Sequence, residues 1–341
     1  MTENGSVSVL SPNAITPVPW AWLTTRIGAA ITARALLPAP REETAAVPPP
    51  LFLITCSRSY SSLVCAMLGQ HPEMYGLPEL NLAVADRVSG LIRMALSLRP
   101  TSLHGLIRAI AELEFGGQTE ETVAAARQWL RERADWTTDA LFQHCAARVA
   151  PRVLVEKSPT ATVLGANLER LRRAFPEARF LHLTRHPRPT CRSILTLVRA
   201  TDEKTGRSRA DSADPERQWR LMNGTAFAFM ANLPPGQGMR IRGEDLLSDP
   251  DTYLRQICWW LEVRDDDAAL AAMKRPEESP FACIGPEPAR FGNDPNFLRD
   301  PAFRWRPIPP ASLDGPLAWG PDPEAGFSAE TRALAGVLGY R

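Results

Sequence analysis

Short apolar runs with no polar interruption constrain this chain most. Leu51-Phe-Leu-Ile-Thr-Cys56 does not alternate between apolar and polar residues, so a strand here must be covered on both faces. Val153-Leu-Val-Glu156, Arg179-Phe-Leu-His-Leu-Thr184 and Met239–Arg242 read as further strands. Helical spacing lies between them, at Leu63–Gly69, about Thr162–Ala174, Pro189–Arg199, Pro215–Asn232 and Asp251–Glu262. Strands alternating with helices predict an α/β fold with a central parallel sheet and flanking helices. Such sheets bind ligands at the carboxyl ends of their strands, beside the helix starts.

The expected organisation is a single domain over residues 51–341, preceded by an extension and a Pro-rich linker over 1–50. A helical insert is expected at about 84–149, as Val84–Leu98, Leu103–Phe115, Glu120–Arg133 and Thr138–Val149. Residues 200–214 read as a mobile loop, and about 275–341 as an irregular C-terminal wrap ending in a helix at Ser328–Leu338. Pro19–Leu37 has the pattern of an amphipathic terminal helix; Arg26 and Arg34 interrupt it, and no run of 18 apolar residues predicts a membrane span. The net charge of +1 argues against a dedicated nucleic-acid binder. The six cysteines are scattered without a CxxC pair, which predicts free thiols, no metal centre and a cytoplasmic setting.

Two segments carry chemistry. Thr55-Cys-Ser-Arg-Ser-Tyr-Ser-Ser62 joins a buried strand to a helix, where free backbone N–H groups and the helix dipole favour an anion. Ser59, Ser61 and Ser62 add hydroxyl donors, and Arg58 adds a guanidinium fork suited to phosphate. Read alone, the segment is also an ordinary serine-capped turn. The chain has neither GxxxxGK[ST] nor GxGxxG, which disfavours a nucleotide triphosphatase and a dinucleotide-binding domain. In the second segment Arg185 stands at a strand end, and Ser193 follows eight residues later on the next helix. That spacing lets the two grip one anion from two sides.

Together these segments resemble the sulfotransferases that use 3′-phosphoadenosine 5′-phosphosulfate. The first is similar to their P-[KR]-S-G-T-[TS] loop and the second to their R-x7-S motif. Val155-Glu-Lys-Ser-Pro159 with Phe175-Pro176 matches the family's K-x-P…FP spacing, and Ile241-Arg-Gly-Glu-Asp-Leu246 with Pro250 its E-D-L…P segment. The resemblance covers roughly residues 51–262. His71-Pro72 followed by Glu79 is most similar to the tyrosylprotein-type and related bacterial branch. Ser57 and Tyr60 depart from the family's Pro and Gly. A Tyr adopts φ > 0 only with strain, so the loop must either turn with ordinary dihedrals or hold strain.

The resemblance implies that Arg58 and the loop residues Ser59, Tyr60, Ser61 and Ser62 hold the donor's 5′-phosphosulfate. It implies that Arg185 and Ser193 hold its 3′-phosphate, and that Lys157 reaches the transferring sulfonate. Lys157 is one of only three lysines. Glu79 is then the general base, with His104 in reserve; a carboxylate capping the following helix is the bland alternative. Arg290, in the irregular segment 285–300, would add a phosphate ligand if that segment closes over the nucleotide; otherwise the segment is a surface wrap. The expected acceptor is a hydroxyl of a small or carrier-bound metabolite. A phosphotransferase and a non-catalytic relative of the fold are the competing readings.

Overall fold

The computed structural model describes residues 47–341 apart from 99, 207, 306, 318 and 320–323. The expectations for residues 1–46, including the terminal helix, lie outside the described residues. Strands β1 (Leu51–Thr55), β2 (Met74–Gly76), β3 (Val153–Glu156), β4 (Arg179–Thr184) and β5 (Gly238–Arg242) form one parallel sheet in the order β2-β3-β1-β4-β5.

The uninterrupted run of β1 is explained by its two covers. Phe52 and Ile54 face one apolar cluster, Leu51 and Leu53 the other. This is the period of two that a strand imposes on its side chains. Helix α1 (Ser61–Gly69) follows β1. The insert contains α2 (Val88–Leu98), α3 (His104–Phe115), α4 (Glu120–Glu132) and α5 (Thr138–Val149). Helices α6 (Gly165–Ala174), α7 (Pro187–Thr205) and α8 (Pro215–Met230) connect the later strands, and α9 (Gly243–Ser248), α10 (Pro250–Leu261) and α11 (Asp267–Met273) follow β5. The short α12 (Pro295–Arg299) and the final α13 (Ala329–Val337) lie in the C-terminal wrap.

The insert packs on the Phe52 face, where Phe52 meets Phe142 at 5.6 Å and Phe180 meets Phe229 at 4.9 Å between ring centroids. Each such buried phenylalanine contributes about 1.5–3 kcal/mol by burial. On the other face, residues of α1, α9, α10 and α11 join Leu51, Leu53, Leu181 and Leu183.

Three local readings are corrected. Strand β2 lies in a stretch with no sequence signal for a strand. Helix α7 begins at Pro187, two residues before the expected start, and runs to Thr205, so residues 200–205 of the expected loop at 200–214 are helix. His186 caps it through Nδ1, which accepts the Arg188 N–H at 3.1 Å. Helices α9 and α11 were not expected.

Candidate active site

The strand β1 carries the chain to the carboxyl edge of the sheet, and the loop to α1 then turns on two left-handed residues. Arg58 has φ 68° and Tyr60 φ 66°. For residues with a Cβ this costs about 1–2 kcal/mol each, so the loop holds strain in place of turning with ordinary dihedrals. Neighbours fix it. Arg185 Nη1 donates to the Arg58 carbonyl at 2.7 Å, and its guanidinium lies 4.3 Å from the centroid of the Tyr60 ring. Tyr60 also packs on Gly243, where a Cβ would stand 2.6 Å from Tyr60 Cδ2. That contact explains the glycine before Glu244-Asp245-Leu246.

No side chain caps the N-terminus of α1, which leaves its first backbone donors facing the loop. Ser59 Oγ and Arg185 Nε are buried and have no hydrogen-bond partner among the described residues. Buried orphaned donors are costly, and beside a helix N-terminus they suit an anionic group.

Arg58 gathers the second motif. Its Nε donates to Ser193 Oγ at 2.9 Å, and its Nη1 forms an ion pair with Asp294. Arg185 and Ser193 therefore meet at Arg58, one through its backbone and one through its side chain. Asp294, just before α12, is a site residue that sequence reasoning missed.

Lys157 follows β3 and is fully buried. Its Nζ donates to Glu79 Oε1 at 2.7 Å and to Ser62 Oγ at 2.7 Å. Ser62 Oγ also accepts the Asp294 N–H at 3.0 Å. The Glu79 side chain is 32% exposed whereas that of Lys157 is 0%. The pair thus has a dry cationic end and a carboxylate open to solution.

Glu79 lies three residues beyond β2. Its N–H donates to Gly292 O at 2.8 Å. Gly105 of α3 permits the approach, since a Cβ there would stand 2.1 Å from Glu79 O. Below Glu79, Glu156 is buried, and desolvation pushes its carboxyl up to about 7.

The remaining candidates separate. Arg290 is paired with Glu287 at 3.0 Å, on a half-exposed side chain, and is not brought into this cluster. His104 stacks on Phe291 with centroids 5.7 Å apart, and its Nδ1 accepts the Phe291 N–H at 3.3 Å. Burial lowers its pKa to about 4, so it is neutral at pH 7. His71 fixes a turn, its Nδ1 accepting the Glu73 N–H at 3.0 Å. His182 is fully buried against Asn223.

The architecture is that of a sulfotransferase domain. A sulfotransferase domain from the curacin biosynthetic pathway is 22% identical, superposes with a TM-score of 0.68, and shares 87% of this chain and 99% of that one. The sulfotransferase domain of the Synechococcus PCC 7002 olefin synthase is 25% identical with a TM-score of 0.65, over 89% of this chain and 98% of that one. No curated protein sequence matches the chain. The model of the sulfotransferase family matches residues 49–267, and the chain belongs to that family. It is a transferase of sulfonate groups.

Proposed function

We propose that the protein transfers the sulfonate of 3′-phosphoadenosine 5′-phosphosulfate to a hydroxyl group, with Glu79 as general base. The observation that carries this reading is the Lys157–Glu79 pair, a fully buried ammonium 2.7 Å from a carboxylate that is open on its other side. Arg58, Ser59, Tyr60, Ser61 and Ser62 form the cradle for the 5′-phosphosulfate, and the orphaned Ser59 Oγ and Arg185 Nε are donors that fit it. Arg185 and Ser193 hold the 3′-phosphate. The cosubstrate supplies the sulfonate.

The residues' roles follow from charge. Sulfuryl transfer is similar to phosphoryl transfer, in that charge grows on the leaving oxygen while attacking and leaving atoms stay in line. Lys157 turns from Glu79 toward that charge, in a dry position where a fixed cation is worth most. Glu79 then accepts the proton of the acceptor hydroxyl. The S–O bond to the leaving phosphate breaks as the S–O bond to the acceptor oxygen forms. Before donor binding, Asp294 holds Arg58, so an arriving phosphate competes with it.

The two similar domains come from a biosynthetic pathway and a synthase, which supports a small or carrier-bound metabolite as acceptor. Six unpaired thiols support a reducing compartment such as the cytoplasm. Thermal shift with adenosine 3′,5′-bisphosphate tests the donor assignment. A clear rise in Tm, with none from ATP and Mg²⁺, is expected by linkage; a rise with ATP–Mg²⁺ alone would instead support a phosphotransferase.

A further inference from the structure

Glu156 lies beneath the site, with only 2% of its surface exposed. A carboxyl there lowers stability at neutral pH, and its hydrogen bonds offset part of that cost. Directly, and through Ser158, they run to the two residues that follow Glu79. Glu156 Oε1 accepts the Leu80 N–H at 3.1 Å and also accepts the Ser158 hydroxyl. Ser158 Oγ accepts the Asn81 N–H at 2.9 Å. Thr160 Oγ1 donates to Asn81 Oδ1 at 2.6 Å, and Asn81 Nδ2 donates to Ser102 O at 2.9 Å. Asn81 itself is left-handed, with φ 55°, a conformation that Asn tolerates. Apart from the bond to Ser102, these ties come from residues 156–160, at and just beyond the end of β3, where Lys157 also lies.

We propose that Glu156, together with Ser158, is a positioning residue: a buried clasp that fixes the Glu79 backbone against the strand end bearing Lys157. The inference rests on the reading of Glu79 as base. In that reading Glu79 and Lys157 begin paired and must exchange partners, Lys157 turning to the sulfonate and Glu79 to the acceptor. Their side chains can swing without loss of alignment only if the backbone is held independently of the pair. A misplacement of about 1 Å costs on the order of 10² in rate. The clasp supplies that hold on the Leu80 side, and the Gly292 carbonyl supplies it at Glu79 N.

The test is release of adenosine 3′,5′-bisphosphate from the phosphosulfate with water as acceptor, alongside the affinity for the bisphosphate. Glu156→Leu removes the acceptor oxygen at similar volume, and Glu156→Gln keeps it. Glu156→Leu is expected to lower kcat at least about tenfold, with KM and bisphosphate affinity within about threefold. Glu156→Gln is expected to restore kcat to within about threefold of wild type. On a Glu79→Gln background, Glu156→Leu should add less than about threefold, because it acts through Glu79. Wild-type kcat in Glu156→Leu, full additivity with Glu79→Gln, or a parallel loss of nucleotide affinity would each overturn the clasp. If Glu156→Leu does not fold, Ser158→Ala takes its place: a lowered kcat at unchanged KM supports the clasp, and wild-type kcat overturns it. A wild-type enzyme that neither binds nor releases the bisphosphate, or a Glu79→Gln variant as fast as wild type, would overturn the transfer reading or the base assignment, and the clasp with it.

Discussion

Replacing Lys157 by Met removes the buried charge while keeping most of the aliphatic volume. The structure sets the expected effects. Lys157 Nζ has two partners, Glu79 Oε1 and Ser62 Oγ, both at 2.7 Å. The change in stability should be small, about 1 kcal/mol either way. Losing a charged hydrogen bond is offset by relief of a fully desolvated ammonium, and Glu79 stays partly solvated. Turnover should respond far more. Removing one preorganised donor from developing negative charge costs about 2.7–4 kcal/mol, or 10²–10³ in kcat. Bisphosphate affinity should change less than about tenfold, because Arg58, Arg185 and Ser193 still hold the phosphates. Steady-state turnover and titration calorimetry, run on the same preparation, give both numbers. A variant within about threefold of wild-type kcat, or one that loses affinity and turnover equally, would refute the assignment of Lys157 to the transferring group.

Three other outcomes are expected. Arg185→Ala should weaken bisphosphate binding about tenfold or more in calorimetry, since a charged hydrogen bond contributes roughly 1.5–3 kcal/mol; unchanged affinity would remove Arg185 from the site. Asp294→Asn keeps the backbone bond to Ser62 but removes the anion from Arg58, so bisphosphate affinity should rise several-fold; a fall would show that Asp294 prepares Arg58 instead of competing for it. Glu156 binds its proton more tightly folded than unfolded, because burial dominates over Ser158, the Leu80 N–H and Lys157. Stability therefore declines as pH rises from about 4.5 to about 7 and then levels off. The Tm advantage of Glu156→Gln over wild type should grow through that window, and a flat difference would contradict the raised carboxyl.

Much of the frame was legible because the sheet is buried on both faces. β1, β3 and β4 announced themselves as apolar runs, and the segments after them held Arg58, Lys157 and Arg185 at the ligand edge. β2 did not, because Met74–Gly76 is too short for periodicity and, among the described residues, pairs only with β3. The left-handed Tyr60 was foreseeable as a conflict but not as an outcome, since the contacts that hold it come from Arg185 and Gly243. The segment holding Asp294 stood out as too long for a simple connector, but the pairing of Asp294 with Arg58 was not legible: the two lie 236 residues apart, and nothing local marks that aspartate as a partner. Glu156 read as the last residue of a strand. Its meaning comes from Leu80 and Asn81, which only the folded chain brings beside it.

The central claim is that Glu79 takes the acceptor's proton. The most direct measurement is turnover of wild type and Glu79→Gln with saturating phosphosulfate donor across pH, with bisphosphate affinity as control. Gln keeps the size and can still accept a bond from Lys157, but it cannot take up the proton. The account predicts unchanged affinity and a loss of turnover of about 10²–10⁴ at every pH, the usual worth of a general base. A variant that keeps more than about a tenth of wild-type turnover would contradict it and place the base elsewhere, with His104 the next residue to replace.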